Sequence, residues 1–196
     1  MPTTKIGQTF RCILHEERHP SASLHWDPKT GALKYRDWHR KGGEEWYTLA
    51  DVYASKIAGR EMRLKGPSMA SWFLRLLVEA KICTPVAVPA RRLPLTVRPA
   101  VRKVYEGFLL LLGCKWLHTP GAPTPFSWQF AAGWCRISER HAGESLQWLL
   151  QQGYIQQVGT YQRMALFLPV PLHGETSEGV EKRSAWASAI PLLTCH

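Results

Sequence analysis

Aspartate is scarce in this sequence and stops early: Asp27, Asp37 and Asp51 are followed by none. No Asp-x-Asp pair occurs, which excludes the carboxylate cluster that two-metal phosphoryl transfer needs. Long apolar runs are also missing. The longest, Phe108 to Leu112, is broken soon afterwards by Gly113 and Lys115, far short of the roughly 18 residues of a membrane-crossing helix. The opening residues, MPTTKIGQTFRC, carry no apolar stretch of the kind a secretory signal needs. Cysteine occurs five times, scattered over positions 12, 83, 114, 135 and 195. An odd, scattered set is no disulfide framework and predicts a reducing, cytoplasmic setting. Acidic side chains as a class are outnumbered, 25 Lys and Arg against 15 Asp and Glu, for a net charge of +10.

What is present points to a folded, basic protein. The 196 residues suffice for one ordinary domain or two small ones, and 45% of them are apolar, so a packed core is available and wholesale disorder is excluded. A basic surface most often meets phosphates, which makes a polyanion the expected partner; the alternative is a merely soluble basic protein. Nine tryptophans serve either core filling or stacking on bases. The charge is unevenly spread: net +4 over residues 1–65, +6 over 66–104, +1 over 105–170 and −1 over 171–196.

Four prolines in TPVAVPARRLPLTVRP, residues 84–99, predict an extended linker carrying Arg91, Arg92 and Arg98. The expected organisation is a first module over 1–83, this linker, a second domain over 100–170 and a polar tail over 171–196. In the first module Phe10 to Leu14 is a short apolar run. Ala22 to Trp26 and Ala32 to Trp38 flank the turn chemistry of Asp27-Pro28-Lys29-Thr30-Gly31, which predicts a hairpin. Thr48 is placed to cap a helix ending at Gly59, and Ser68 to cap a second, amphipathic one through Ile82.

Cys12-x-x-His15 is a two-ligand clip: a thiolate and an imidazole three residues apart can converge on one tetrahedral metal. Pro20-Ser21, the turn at Pro28 to Gly31, Tyr35, Gly42-Gly43 and the helix from Thr48 follow it. Together these residues resemble the N-terminal zinc-binding domain of bacterial and phage DNA primases, over about residues 8–60. That family reads Cys-x-x-His, Pro-Ser, two strands, Cys-x-x-Cys and Gly-Gly. Here the second cysteine pair is replaced by Tyr35-Arg36-Asp37-Trp38-His39. Counting back from Gly42-Gly43 puts His39 on the second cysteine and, with one residue deleted, Asp37 on the first. The resemblance therefore implies a structural zinc held by Cys12, His15, Asp37 and His39, a chemically sound donor set. The alternative is a metal-free hairpin in which Asp37 hydrogen-bonds His15 or His39. Glu16-Glu17 predicts no acid–base pair, because adjacent carboxylates in a turn point apart.

In the second domain, residues 101–116 carry one apolar helical face, Ser127 can cap a short helix, and Ser138 leads into a third that Gly153 ends. Residues 154–158 and 161–170, joined through Gly159-Thr160, read as a hairpin. Three helices and a hairpin in this order resemble a winged helix. The expected fold class is thus α+β, a small zinc-ribbon-like hairpin module with helices followed by a winged-helix domain. By these resemblances Arg11, Arg18, Lys34, Arg36, Trp38, Arg40 and Lys41 of the module would meet nucleic acid. Arg91 and Arg92 of the linker, and Arg140, His141, Gln147 and Arg163 of the second domain, would join them.

The expected function is a non-catalytic nucleic-acid-binding protein in replication or priming of a plasmid, phage or mobile element. DNA, single-stranded or forked, is the expected partner, with a polymerase, primase or helicase as a further one and no membrane. An accessory subunit of a larger nucleic-acid machine and a winged-helix regulator are the alternatives. A small-molecule enzyme is disfavoured, since Cys83, Cys114 and Cys135 sit in apolar surroundings where thiols are inert.

Overall fold

A computed structural model of the chain describes residues 5–38 and 45–171. It is mixed α+β, and its chain contacts resolve into two compact units. One unit takes residues 1–84 and 128–144, the other 85–127 and 145–196. The expected tail beyond residue 171 lies outside the described residues, as do His39, Arg40 and Lys41.

The first unit opens with a four-stranded antiparallel sheet, β1 (Thr9–Phe10), β2 (Ala22–Trp26), β3 (Leu33–Asp37) and β4 (Glu45–Thr48), in that spatial order. Of the apolar run Phe10 to Leu14 only Phe10 lies in a strand, and the Cys12 amide turns inward to Glu17 instead of joining the ladder. Period-2 alternation sorts the faces. Leu24, Tyr35 and Tyr47 lie opposite one another across three strands on one face, with Ala22 opposite Asp37. Ser23, Arg36 and Trp46 form the corresponding row on the other. The first face is the core: Ala22, Tyr35 and Tyr47 are buried with Cys12 and Val52.

Helix α1 (Leu49–Ala58) covers that face. Thr48 caps it as the sequence predicts, in a reciprocal capping box with Asp51, and Gly59 ends it at φ 68°. The free Asp51 oxygen also accepts the Leu64 amide at 2.7 Å. Thr48→Ala should therefore cost about 1 kcal/mol, read as a lower urea midpoint at unchanged slope; an unmoved midpoint would show that α1 is held by packing alone. Helix α2 (Pro67–Glu79) does not start at Ser68. Gly66, at φ 55°, is the cap and Pro67 takes the first helical position, where a fixed φ and a missing N–H carry no penalty. The Ser68 hydroxyl instead donates back to the Lys65 carbonyl.

Helix α4 (Trp128–Cys135) completes this unit's core. Trp72 of α2 is fully buried against Trp134, ring centroids 4.7 Å apart, and Phe130 stacks on Trp134 at 5.3 Å. The Arg75 guanidinium lies 4.6 Å from the Trp134 ring and donates to the Trp134 carbonyl.

In the second unit α3 (Pro99–Lys115) buries Val101, Val104, Phe108, Leu111 and Leu112. Residues 85–98 are irregular and pack on it at Gly113. A Cβ there would lie 2.6 Å from the Val86 carbonyl oxygen, so only glycine permits this approach. A three-stranded sheet follows in the order β5 (Thr124–Pro125), β7 (Met164–Pro169), β6 (Ile155–Tyr161). The turn of the hairpin falls at Gln162 and Arg163, both at positive φ, and not at Gly159-Thr160. Gly159 marks a β-bulge, with Val158 the extra residue; a glycine inside a strand pattern serves a bulge as readily as a turn. Helix α5 (Glu139–Gln151) is divided between the units, residues 139–144 counting with the first and 145–151 with the second.

Candidate metal centre and nucleic-acid face

Cys12, His15 and Asp37 meet on the core side of the first sheet. One ligand atom from each lies within 4.8 Å of the others. His15 Nε2 is 3.0 Å, and Cys12 Sγ 3.6 Å, from Asp37 Oδ2. Ligands of a tetrahedral zinc sit about 3.3–3.7 Å apart, given bonds of about 2.0–2.3 Å. Cys12 and Asp37 are buried and His15 reaches solvent. This group could hold a metal ion. The same 3.0 Å contact also satisfies the metal-free hairpin, and His39, the fourth expected ligand, lies outside the described residues.

Two donors reach the Cys12 sulfur, which itself lies against the Asp37 carboxylate. The Tyr35 hydroxyl donates to Cys12 Sγ at 2.9 Å while accepting the Ile13 amide at 3.2 Å, and the Leu14 amide donates to the same sulfur at 3.4 Å. Burial pushes the Tyr35 phenol well above its ordinary pKa, and the bond to Cys12 adds to the rise, so Tyr35 stays protonated as a donor. Hydrogen bonds of this kind fix the orientation of a ligand side chain.

Glu17 organises the loop that carries the clip. Its carboxylate accepts from the amides of Cys12 and Ser21 and from the Ser21 hydroxyl. Desolvation acts upward on its pKa, but those hydrogen bonds outweigh it and hold the carboxyl below its usual range. Glu16 stays exposed, so the two neighbours do diverge. Sequence reasoning missed the part played by Glu17; its only trace was Ser21, whose amide and hydroxyl donate to the carboxylate.

The opposite face of the sheet gathers cations and rings. The Arg36 guanidinium lies 3.4 Å from the Trp38 ring centre and 5.1 Å from that of Trp46. His25 packs edge-on to both indoles, at 6.4 and 5.6 Å. Trp38 is half exposed, and its Nε1 donates to the Ser23 hydroxyl, which His25 Nε2 also meets. Lys34, in the next row, is held by Asp27 at 2.6 Å, and that contact keeps the Asp27 carboxyl far below its ordinary pKa. Arg11 and Arg18 are exposed on the preceding loop.

No family model, no curated protein and no solved structure matches this chain. The site therefore rests on its own geometry.

Not all the remaining expected residues gather with this face. Arg140 and His141 are exposed in the first unit, Arg140 paired with Glu144 at 2.8 Å. Arg91, Arg92, Gln147 and Arg163 belong to the second. There Arg91 is committed: it donates to the Gly153 carbonyl and lies over the Tyr154 ring at 4.9 Å. Arg92, Gln147 and Arg163 are exposed. No helix among the described residues is long and apolar enough to cross a membrane.

Proposed function

We propose that this chain is a non-catalytic nucleic-acid-binding protein whose first unit is a zinc-stabilised module that reads single-stranded or forked DNA. The observation that carries this reading is the Arg36–Trp38–Trp46 array on the sheet face turned away from the core. A guanidinium held against indole rings offers both terms that single strands need, a fixed cation for phosphate and an exposed ring for a base. The Cys12–His15–Asp37 group lies on the other face and fits zinc in donor type, with His39 as the fourth ligand. Bound there, zinc would act as a structural cross-link that fixes the loop and hairpin; it supplies no chemistry to a substrate.

Residues 99–169 run helix, strand, helix, helix, hairpin, the chain order of a winged helix, while α4 and the first part of α5 count with the first unit. Replication or priming of a plasmid, phage or mobile element, in the cytoplasm and alongside a polymerase, primase or helicase, is the setting that this combination favours.

Fluorescence anisotropy with a labelled oligothymidylate, set against a duplex of equal length, tests the proposal. The single strand should bind more tightly, with affinity falling steeply as salt rises. Trp38→Ala should weaken that binding about tenfold, the worth of one stacked base, and Arg36→Ala should weaken it and flatten the salt dependence. Wild-type binding that favours the duplex, or strand affinity indifferent to both substitutions, would overturn this reading.

A further inference from the structure

A cavity of about 370 Å³ opens beside the metal-type group, on the core side of the sheet and at the C-terminal end of α1. His15 and Asp37 line it, and Lys56, Arg60, Glu61 and Arg136 are the other charged residues of its lining. Its two carboxylates are already engaged. Asp37 takes the contacts with His15 and Cys12, and Glu61 accepts from the Tyr47 hydroxyl at 3.2 Å and from Arg63 at 3.4 Å. Among the described residues Arg60 has only a loose contact, 3.7 Å from Glu139. Lys56 and Arg136 have no carboxylate partner among the described residues. Among the described residues the cavity thus carries more cations than paired carboxylates.

Arg136 marks the place further. It follows α4 at φ 53°, while Ile137 donates back to the Ala132 carbonyl at 3.0 Å. This is the helix-terminating position that glycine fills best. An arginine here is held in an unfavourable backbone conformation with its side chain lining the cavity, and strain of this kind gathers at functional sites.

We propose that Lys56, Arg60 and Arg136 form a phosphate-binding site in this cavity, for a phosphate of a nucleic-acid strand or of a free nucleotide. Two guanidinium forks and one ammonium suit a phosphoryl group and exceed what a carboxylate would need. The volume exceeds that of a lone phosphate and lies at the small end of ligand pockets. The strand source rests on the function proposed above, whereas the nucleotide source stands without it.

The full chain should be titrated with two probes: a labelled oligothymidylate followed by anisotropy over a salt series, and ATP followed by calorimetry. Each is repeated with Arg136→Gly and Lys56→Gln. Glycine suits the backbone at 136, so that variant should melt at or above the wild-type temperature and isolates the lost cation. If the phosphate is a strand's, each variant should weaken oligonucleotide binding about tenfold, as for one charge-assisted contact. Each should also lower the salt slope by about 0.7. If it is a nucleotide's, ATP binds the wild type and weakens about tenfold in both variants, with oligonucleotide affinity unmoved. Oligonucleotide binding that weakens on Trp38→Ala but is unmoved in both cavity variants, with no ATP binding, would retain the proposed function and sink the cavity site. ATP binding that depends on Arg136 and Lys56, in a chain that binds no oligonucleotide, would do the reverse. Binding of neither probe by the wild type would overturn both.

Discussion

Cys12→Ala should release about one zinc per chain and lower the melting temperature by roughly 8–16 °C. The size follows from linkage. A metal present at about a thousandfold its dissociation constant stabilises the folded state by about 4 kcal/mol, and each kcal/mol is about 2–4 °C in a chain of this length. The loss should fall short of the ~10–16 kcal/mol seen where a module does not fold without its metal. Tyr35, Tyr47, Ala22 and Val52 already form a buried cluster around Cys12, and the Asp37–His15 contact at 3.0 Å survives the substitution. Cys83→Ala serves as the control, since Cys83 takes no part in the group and should leave the zinc in place. Metal analysis and melting curves on the same samples decide the matter. Wild-type protein without zinc would mean that Asp37 and His15 simply bond to each other, and a Cys12→Ala variant that keeps zinc would mean that the metal is held without Cys12.

The second large effect concerns Trp72. It is fully buried between Tyr53 and the Phe130–Trp134 pair. Trp72→Ala should cost about 3–5 kcal/mol, the usual toll for emptying an aromatic site that cannot collapse. It also takes away one of the two indoles on which the Arg75 guanidinium rests, leaving a half-buried charge with a poorer partner. Trp72→Phe should cost far less. Among the described residues the Trp72 Nε1 has no hydrogen-bond partner, so phenylalanine keeps much of the ring and removes an unsatisfied donor. Urea unfolding of the three proteins measures both differences. Equal losses for Ala and Phe would show that this donor finds a partner, and that polar satisfaction matters more here than volume.

How much of this could be read from the residues depended on range. Thr48 and Gly59 bracket α1 because capping needs only atoms within one turn. Ser68 has the same chemistry as Thr48 and does not cap, because Gly66-Pro67 offers a better start two residues earlier. The hairpin in the second unit was legible, but its turn was not. Gly159 is the obvious breaker, yet Gln162 and Arg163 take the positive φ values that close the loop, and the glycine is used in a bulge. Strands β4 and β5 are short and are set by their partners more than by their own pattern. In the site, Cys12 and His15 announce themselves by spacing, and Asp37 joins them through the register of β2 and β3. The cavity left no trace in the sequence. Lys56 and Arg60 sit at the end of one helix, and Arg136 comes from a distant turn, so only tertiary structure brings them together.

The unit that holds the metal-type group is assembled from two separate stretches of chain, and this has a consequence during synthesis. Arg75 and its carbonyl partner in Trp134 are 59 residues apart. At about 5–20 residues per second, a ribosome needs roughly 3–12 s to deliver the second after the first. Throughout that interval Trp72 has left the ribosome without Phe130 and Trp134 to cover it. A nascent chain halted after Trp72 has emerged and before α4 has followed would display this indole to chaperones, and the wait ends only when α4 arrives.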